Sequence, residues 1–526
     1  MFVDARELPN NTRLETDVCI MGAGAAGITI AREFAHAPFK VCLLESGDLL
    51  YDPDTQFLCQ GENVGLPYWP IVASRLRIFG GTTNHWGGIC LPLDEDDFEQ
   101  RDWVPGSGWP LQRADLDPYY QRAQPICQLG KFSYDPNDWQ TPDSYPLPFE
   151  GDRVVSGITQ SSWARFKPPV QFGTAYREDL TRAGNITIYL NANVLEIDTN
   201  EAANQVTGLQ VACLSGTRFT VQAKSYILAL GGIENPRLLL LSNKVQKTGL
   251  GNQNDLVGRY FADHLYMSNL GYMIISAPNI STALYHKSTA EHGVQIGSYL
   301  ALSSTTRRRE KLLTSRIHLG HDTWLGFSSG VQALDKLRQA LHQGQLPDNL
   351  LHYLWRVLKD FDNVTTAAYG NLRDAQVLRF GAWTELVPDP ESRVRLGNER
   401  DRLGQQRIIL DWRIGTQEKE SLIRTLSILG EEMGRAGLGR LRIDIDEGSA
   451  WPWTGGGTPG IHHMGTTRMH IDAKQGVVDK HCKVHGITNL FIAGSSVFPT
   501  YGHANATFTL VALALRLADH LKEIHT

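Results

Sequence analysis

The protein has 526 residues and a mass of 58.6 kDa, enough chain for two to four domains at about 150 residues each. Its composition, 42% hydrophobic and 20% charged residues, predicts a large packed core and excludes a disordered chain. The 50 basic and 56 acidic residues give a formal net charge of −6. That balance argues against nucleic acid as a main partner, because duplex binding needs a concentrated basic surface.

Two further absences narrow the class of protein. No apolar run approaches the roughly 18 residues that cross a bilayer, and residues 1–6 carry neither a basic stretch nor the apolar core of a signal peptide. The seven cysteines are scattered and never spaced as CxxC, so we expect neither a disulfide scaffold nor a metal site. These features favour a soluble, cytoplasmic protein and leave its oligomeric state open.

Residues 17–45 carry the first chemical motif. An apolar strand runs into a turn with three glycines, Gly22, Gly24 and Gly27, and a helix and a second strand ending at Glu45 follow. Glycines at this spacing allow a tight turn, close approach of the backbone to a pyrophosphate and close packing of helix on strand. The helix N-terminus offers free amides to that phosphate, and Glu45 can bind ribose hydroxyls. The motif predicts a dinucleotide site without separating NAD from FAD.

A glycine-rich loop over residues 74–88 distinguishes FAD from NAD as the cofactor. Its sequence, SRLRIFGGTTNHWGG, resembles the flavin-contacting loop of the glucose–methanol–choline (GMC) oxidoreductases, particularly the branch that contains the pyranose oxidases. Further segments similar to landmarks of that family are residues 92–94, 108–110, 115–120, 257–264 and 392–394. The resemblance spans most of the chain and implies an FAD-dependent oxidoreductase.

The resemblance also implies which residues contact FAD beyond the glycine turn and Glu45. These are Gly80, Gly81, Thr83, Asn84 and His85 in the loop, Val194 beside the adenine, Gly231 beside the phosphates, and Gly494. His85 directly precedes Trp86, as does the histidine that pyranose oxidases join covalently to the flavin. A covalent bond and a non-covalent contact at His85 both stay open.

The catalytic base is expected within residues 460–470. Oxidation of an alcohol requires a base that removes the hydroxyl proton while the hydride moves to the flavin, and a neutral imidazole suits that task. The family places a histidine three residues before a glycine here, which selects His462 over its neighbour His463. Adjacent side chains of an extended segment point to opposite sides, so we expect a structural role for His463.

A partner for the base is expected within residues 499–507. The family places an asparagine or a histidine just before the last helix, and aligning the start of that helix selects Asn505. Its amide can hydrogen-bond the substrate oxygen and orient the reacting carbon, although asparagine also caps helices at this position. The proline that usually follows is Ala506 here, so His503 stays an alternative partner.

We expect an α/β fold in which discontinuous segments build a Rossmann-type FAD domain, covered by the sheet of a substrate domain. The FAD segments are residues 1–90, 190–250 and 460–526, and the substrate segments are 91–189 and 251–459. The leading function is oxidation of a secondary alcohol on a sugar, glycoside or cyclitol to a ketone, with oxygen, a quinone or another acceptor. The alternatives are a primary-alcohol or aminoglycoside dehydrogenase, a flavin-dependent lyase without net oxidation, and a carbohydrate-binding protein that keeps FAD for its fold.

Overall fold

The computed structural model describes residues 1–162, 168–285, 288–289, 294–320, 330, 333–334, 336–337, 349–361, 364, 376–445 and 457–525. Its strands, in chain order, are β1 (Phe2–Asp4), β2 (Thr12–Glu15), β3 (Val18–Met21), β4 (Val41–Leu44), β5 (Gly61–Asn63), β6 (Ile89–Cys90), β7 (Val154–Ser161), β8 (Ile186–Leu190), β9 (Asn193–Thr199), β10 (Val206–Ala212), β11 (Arg218–Gln222), β12 (Ser225–Leu228), β13 (Leu265–Ile275), β14 (Ser288–Thr289), β15 (Gln295–Leu302), β16 (Ser315–Gly320), β17 (Gln376–Thr384), β18 (Arg393–Arg400), β19 (Gln406–Asp411), β20 (Gly439–Ile443), β21 (Gly457–Pro459) and β22 (Leu490–Ile492). Its α-helices are α1 (Ala25–Glu33), α2 (Pro53–Phe57), α3 (Arg113–Ile126), α4 (Phe172–Ala175), α5 (Arg177–Arg182), α6 (Gly231–Leu241), α7 (Ser304–Glu310), α8 (Leu350–Lys359), α9 (Gln417–Arg435) and α10 (Ala506–His525).

A six-stranded parallel sheet, in the order β1-β8-β4-β3-β12-β22, forms the centre of the predicted dinucleotide domain. Strands β3, β4, β12 and β22 are buried at every position, as expected of a parallel sheet covered on both faces. Helix α1 packs against α10, which also packs against α3. The α/β fold with a parallel nucleotide-binding sheet is thereby confirmed.

One predicted domain boundary is wrong. We placed the change from substrate to FAD segment at residue 190, but β8 is paired with β4 and β1 inside the parallel sheet. Helices α4 and α5, which precede β8, already pack against α1. The chain therefore returns to the nucleotide domain before Phe172. Strand β8 belongs to that domain because its backbone hydrogen bonds are made with β4 and β1.

The second large sheet has the order β20-β13-β17-β16-β15-β7-β6, and β14 and β21 pair with β15 and β13. Its neighbouring strands pair antiparallel, and one row of directly paired residues is Tyr266, Trp383 and Arg316 on β13, β17 and β16. Directly paired residues point to the same face of a sheet. His318 and Tyr299, paired one row further on, lie on that face too, since side chains alternate along a strand.

Two findings bear on composition. All seven cysteines are buried, and none forms a disulfide bond. Cys19 and Cys42 lie opposite each other on the neighbouring strands β3 and β4. No helix within the described ranges is both long and apolar enough to cross a membrane.

Candidate active site

A large cavity opens at the carboxyl ends of the parallel strands. Gly22 follows β3, Glu45 follows β4 and Gly494 follows β22, and all three line it. The empty space between its walls, open mouth included, is about 1620 Å³. The carboxyl edge of an open parallel sheet is where such folds bind dinucleotides.

The glycine turn has the shape that a dinucleotide requires. A Cβ on Gly22, whose φ is +100°, would lie 2.6 Å from the carbonyl oxygen of Ala229, and a Cβ on Gly27 would lie 1.9 Å from that of Gly22. Gly24 has open space around its missing Cβ and faces the cavity. Gly22 and Gly27 therefore allow the turn and the packing of α1, and Gly24 leaves room for a phosphate at the helix N-terminus.

Glu45 lines the cavity and also holds the glycine turn in place. Its carboxylate accepts hydrogen bonds from the backbone amides of Ala23, at 2.9 Å, and Gly47, at 2.8 Å. The side chain is buried, and burial raises its pKa even though both amides act in the opposite direction. Loss of this carboxylate would disturb the glycine turn as well as the predicted contact to ribose.

A buried ion cluster forms another part of the cavity wall. Glu234 binds Arg75 at 2.6 Å, Arg77 at 2.9 Å and Arg237 at 3.1 Å, and Arg237 also binds Asp401 at 2.7 Å. Burial alone would raise the pKa of Glu234, but the three arginines hold it well below its usual range. Three arginines on two carboxylates leave one surplus positive charge, which suits a cofactor with a pyrophosphate.

The loop over residues 74–88 divides into residues that line the cavity and residues that fold the loop. Thr83 and Trp86 are part of the lining. Asn84 donates its amide to two carbonyl groups of its own loop, at 2.8 and 3.1 Å, and His85 is exposed. The predicted FAD contacts that line the cavity are Gly22, Gly24, Glu45, Gly81, Thr83, Val194, Gly231 and Gly494. Those outside the lining are Gly27, Gly80, Asn84 and His85.

At the other end of the cavity, a buried carboxylate positions His462. Asp263 accepts hydrogen bonds from the backbone amides of His462 at 2.7 Å, Ile461 at 2.9 Å and His264 at 2.7 Å, and from the hydroxyl of Tyr68. Ile461 has a φ of +61°, a conformation that strains a β-branched residue. Burial raises the pKa of Asp263 to about 6, although each of these bonds lowers it. The carboxylate thus stabilises a strained turn that aims the imidazole of His462.

The hydrogen bonds of His264 fix the tautomer of His462. Nε2 of His264 lies 3.0 Å from the carbonyl oxygen of Gly502, which can only accept, so Nε2 carries the proton. Burial lowers the pKa of His264 to about 3, and Nδ1 of this neutral ring is therefore an acceptor. It lies 2.9 Å from Nδ1 of His462, which must then be the donor. Because burial also keeps the pKa of His462 well below its usual value, its Nε2 is unprotonated and can accept a hydrogen bond or a proton.

A second set of contacts leads to the same assignment. Both terminal nitrogens of Arg316 donate to Oδ1 of Asn505 at 3.2 Å, which turns the amide nitrogen of Asn505 towards His462. That nitrogen lies 3.3 Å from Nε2 of His462, so Nε2 is an acceptor on this side as well. Within the described chain, the amide of Asn505 thus bonds His462 and Arg316 and does not cap α10.

The two alternative histidines make other contacts. His463 also lines the cavity, but its ring packs against that of Tyr68, with centroids 6.0 Å apart. Nε2 of His503 lies 3.7 Å from a carboxylate oxygen of Asp94. The structure therefore brings Asn505, and not His503, to the imidazole of His462.

Sequence reasoning missed three residues of this site. Asp263 and His264 lie in residues 257–264, which the sequence marked as a family landmark without giving them a role. An adjacent acid and histidine just before an apolar strand was the available signal. No sequence signal pointed to Arg316, because a single arginine in a strand is normally exposed.

The comparisons agree with this geometry. A model described as FAD dependent oxidoreductase matches residues 17–247, and one described as GMC oxidoreductase matches residues 388–514. Similar curated proteins include the fructose dehydrogenase large subunit of Gluconobacter japonicus, 25% identical over 97% of this chain and 98% of that protein. Paromamine 6'-oxidase of Streptomyces fradiae is 24% identical over 95% of this chain and 90% of that protein. Among solved structures, pyridoxine 4-oxidase from Mesorbium loti shares the fold, with a TM-score of 0.54, 17% identity, and coverage of 96% of this chain and 98% of that one.

The glycine cradle, the cavity and the matching models define a flavoprotein, an FAD-dependent alcohol oxidoreductase. The chain is similar to members of the GMC oxidoreductase family, whose model matches residues 388–514.

Proposed function

We propose that this enzyme oxidises a secondary alcohol of a sugar, glycoside or cyclitol to a ketone. The observation that carries the proposal is the unprotonated Nε2 of His462, which accepts a hydrogen bond from the amide nitrogen of Asn505 at 3.3 Å. His462 lines the same cavity as the glycine cradle. An acceptor for a proton and a donor to an oxygen thus lie side by side next to the cofactor site.

Each residue then has a definite part in the reaction. FAD, when bound, supplies the acceptor for the hydride. Nε2 of His462 accepts the hydroxyl proton, and the amide of Asn505 donates to the same oxygen and stabilises negative charge that develops there. His264 keeps the proton of His462 on Nδ1, so that Nε2 stays available.

The substrate class rests on the loop similar to that of pyranose oxidases and on the face of the second sheet. Trp383 stacks on His462 with ring centroids 5.4 Å apart, and Tyr266 lies 4.7 Å from Trp383 and 5.3 Å from His318. Such rings offer flat apolar surfaces that carry polar groups, which suits a polyol ring. Two relatives are named for carbohydrate-derived substrates.

The test is reduction of the enzyme's flavin under anaerobic conditions, so that the nature of the acceptor does not matter. The panel contains D-glucose, methyl glucosides, myo-inositol, paromamine and benzyl alcohol, and each product is identified by NMR. We expect bleaching of the flavin by the sugars or the cyclitol and a ketone as product. An aldehyde would favour the primary-alcohol alternative, product without bleaching would favour a lyase, and binding without either would favour a carbohydrate-binding protein.

A further inference from the structure

Arg316 stands out among the buried arginines. It lies on β16, is 3% exposed, and faces Trp383 and Tyr299, whose ring centroids are 5.5 and 5.9 Å from its guanidinium carbon. Its hydrogen bonds go to the neutral Oδ1 of Asn505. Among the residues that the structure describes, no carboxylate pairs with it.

The other buried arginines use their charge differently. Four of them bind carboxylates: Arg75 and Arg237 bind Glu234, Arg101 binds Glu385, and Arg307 binds Asp96. Arg468 has no such partner but donates to the carbonyl of Gly106 and stacks on the ring of Tyr260. Arg316 alone of this set, within the described ranges, donates to the amide that contacts the proposed base.

A buried cation without a counter-ion destabilises a fold, because water no longer solvates it. Burial lowers the pKa of Arg316 to about 10, with nearby tyrosines acting in the opposite direction. An anion brought in by the substrate would relieve that cost, and a guanidinium is the side chain best shaped to bind a carboxylate or phosphate with two parallel hydrogen bonds.

We infer that Arg316 determines specificity by binding an anionic group, a carboxylate or a phosphate, on the alcohol that His462 deprotonates. This rests on the proposed function and deepens it, since the substrate becomes an acidic sugar derivative. The guanidinium lies 3.2 Å from one end of the Asn505 amide, and the other end lies 3.3 Å from Nε2 of His462. The anionic group therefore sits a few bonds from the reacting carbon. A cationic aminoglycoside would be repelled from the same position.

The test compares D-glucuronate, D-glucose 6-phosphate and D-glucose, which share the ring and its secondary hydroxyls. The quantity is the second-order rate constant of anaerobic flavin reduction, measured for the wild type, Arg316→Gln and Arg316→Lys. We expect the wild type to prefer one anion over glucose by about 10- to 100-fold, the worth of a charged hydrogen bond, and the preferred anion identifies the group. Arg316→Gln keeps a donor for Asn505 and should bring the ratio close to one, whereas Arg316→Lys should keep part of it.

Arg308→Gln is the matched control, because it removes one positive charge from a side chain that is 47% exposed and paired with Glu99. Its ratio should equal that of the wild type. The inference would be overturned if Arg316→Gln lowered the rate constants for charged and neutral sugars by the same factor. A ratio near one in the wild type would also overturn it, and that measurement does not depend on the folding of any variant.

A binding measurement separates this inference from the proposed function. Acetate and inorganic phosphate carry the two anions without an alcohol, and titration of at least one of them into the oxidised holoenzyme should perturb the flavin spectrum in the wild type and not in Arg316→Gln. If no alcohol reduces the flavin but either anion still binds through Arg316, the anion site stands and the proposed function fails. If neutral sugars reduce the flavin and neither anion has an effect, the function stands and the anion site fails.

Discussion

The two ends of the cavity are built in different ways. The phosphate turn of the dinucleotide end consists of backbone and small residues, with Gly22 and Gly24 after β3 and Gly494 after β22. The catalytic end depends on side chains from distant parts of the chain, since His264 and Asn505 contact the imidazole of His462 and Arg316 holds Asn505. The first end depends on local turns and the second on tertiary packing, so a substitution should affect either cofactor binding or chemistry, but seldom both.

The strongest test of this division is His462→Ala. Removal of the base should slow flavin reduction by about 10²- to 10⁴-fold and leave FAD bound, because the glycine turn does not involve His462. Stopped-flow reduction of the loaded enzyme measures the first effect, and the flavin-to-protein ratio measures the second. The control is His463→Ala, which should reduce at a rate close to that of the wild type. If His463→Ala is the slow variant, the assignment of the base is shifted by one residue.

A smaller effect is expected at His264, which acts through His462. His264→Ala should slow flavin reduction by about 10²-fold, the scale of a misplaced catalytic group, with FAD retained. Water in the vacated space would bring the pKa of His462 up towards its usual value. Because the protonated ring cannot accept a proton, the acid limb of the pH–rate profile should then move to higher pH.

His264→Asn is the variant that separates positioning from packing. Its side-chain oxygen can accept from Nδ1 of His462, so part of the rate and of the original pH profile should return. If His264→Ala reduces its flavin slowly with an unchanged acid limb of the pH–rate profile, and His264→Asn restores none of the rate, then His264 serves only as packing.

The same division explains what the sequence could predict. The sequence segment 41–44 proved to be β4, and the glycine spacing indicated the turn that Gly22 and Gly27 make, because these features depend on neighbours in the chain. The roles of His264 and Arg316 depend on strand register in the second sheet and on the turn at Ile461, which the carboxylate of Asp263 holds from 198 residues away. No local pattern carries that information.

Glu45 belongs to the dinucleotide end, and its loss should show the converse behaviour. Glu45→Ala removes the acceptor for the amides of Ala23 and Gly47 and should weaken FAD binding by about tenfold or more, the worth of one hydrogen bond to a charged group. Flavin reduction in the fully loaded variant should stay close to that of the wild type. Glu45→Gln keeps one carbonyl acceptor, so its FAD affinity should lie between those of the wild type and Glu45→Ala. Unchanged FAD affinity in Glu45→Ala, measured by titration of the apoprotein, would refute a cofactor role for this carboxylate.

The smallest effect is expected at His85, where family resemblance and geometry can be set against each other. The ring is exposed and outside the cavity lining, whereas Thr83 and Trp86 on either side of it are part of that lining. A bond to the flavin would require the imidazole to turn into the cavity, beside Trp86, whose indole nitrogen donates to the carbonyl of Val170 at 2.8 Å. We therefore expect acid precipitation to release FAD into the supernatant, and His85→Ala to bind FAD as the wild type does. A yellow pellet from the wild type and a colourless one from His85→Ala would show that the loop carries a covalent bond after all. In that case the dinucleotide end would also depend on a reactive side chain, and the contrast between the two ends would be weaker than the glycine turn alone suggests.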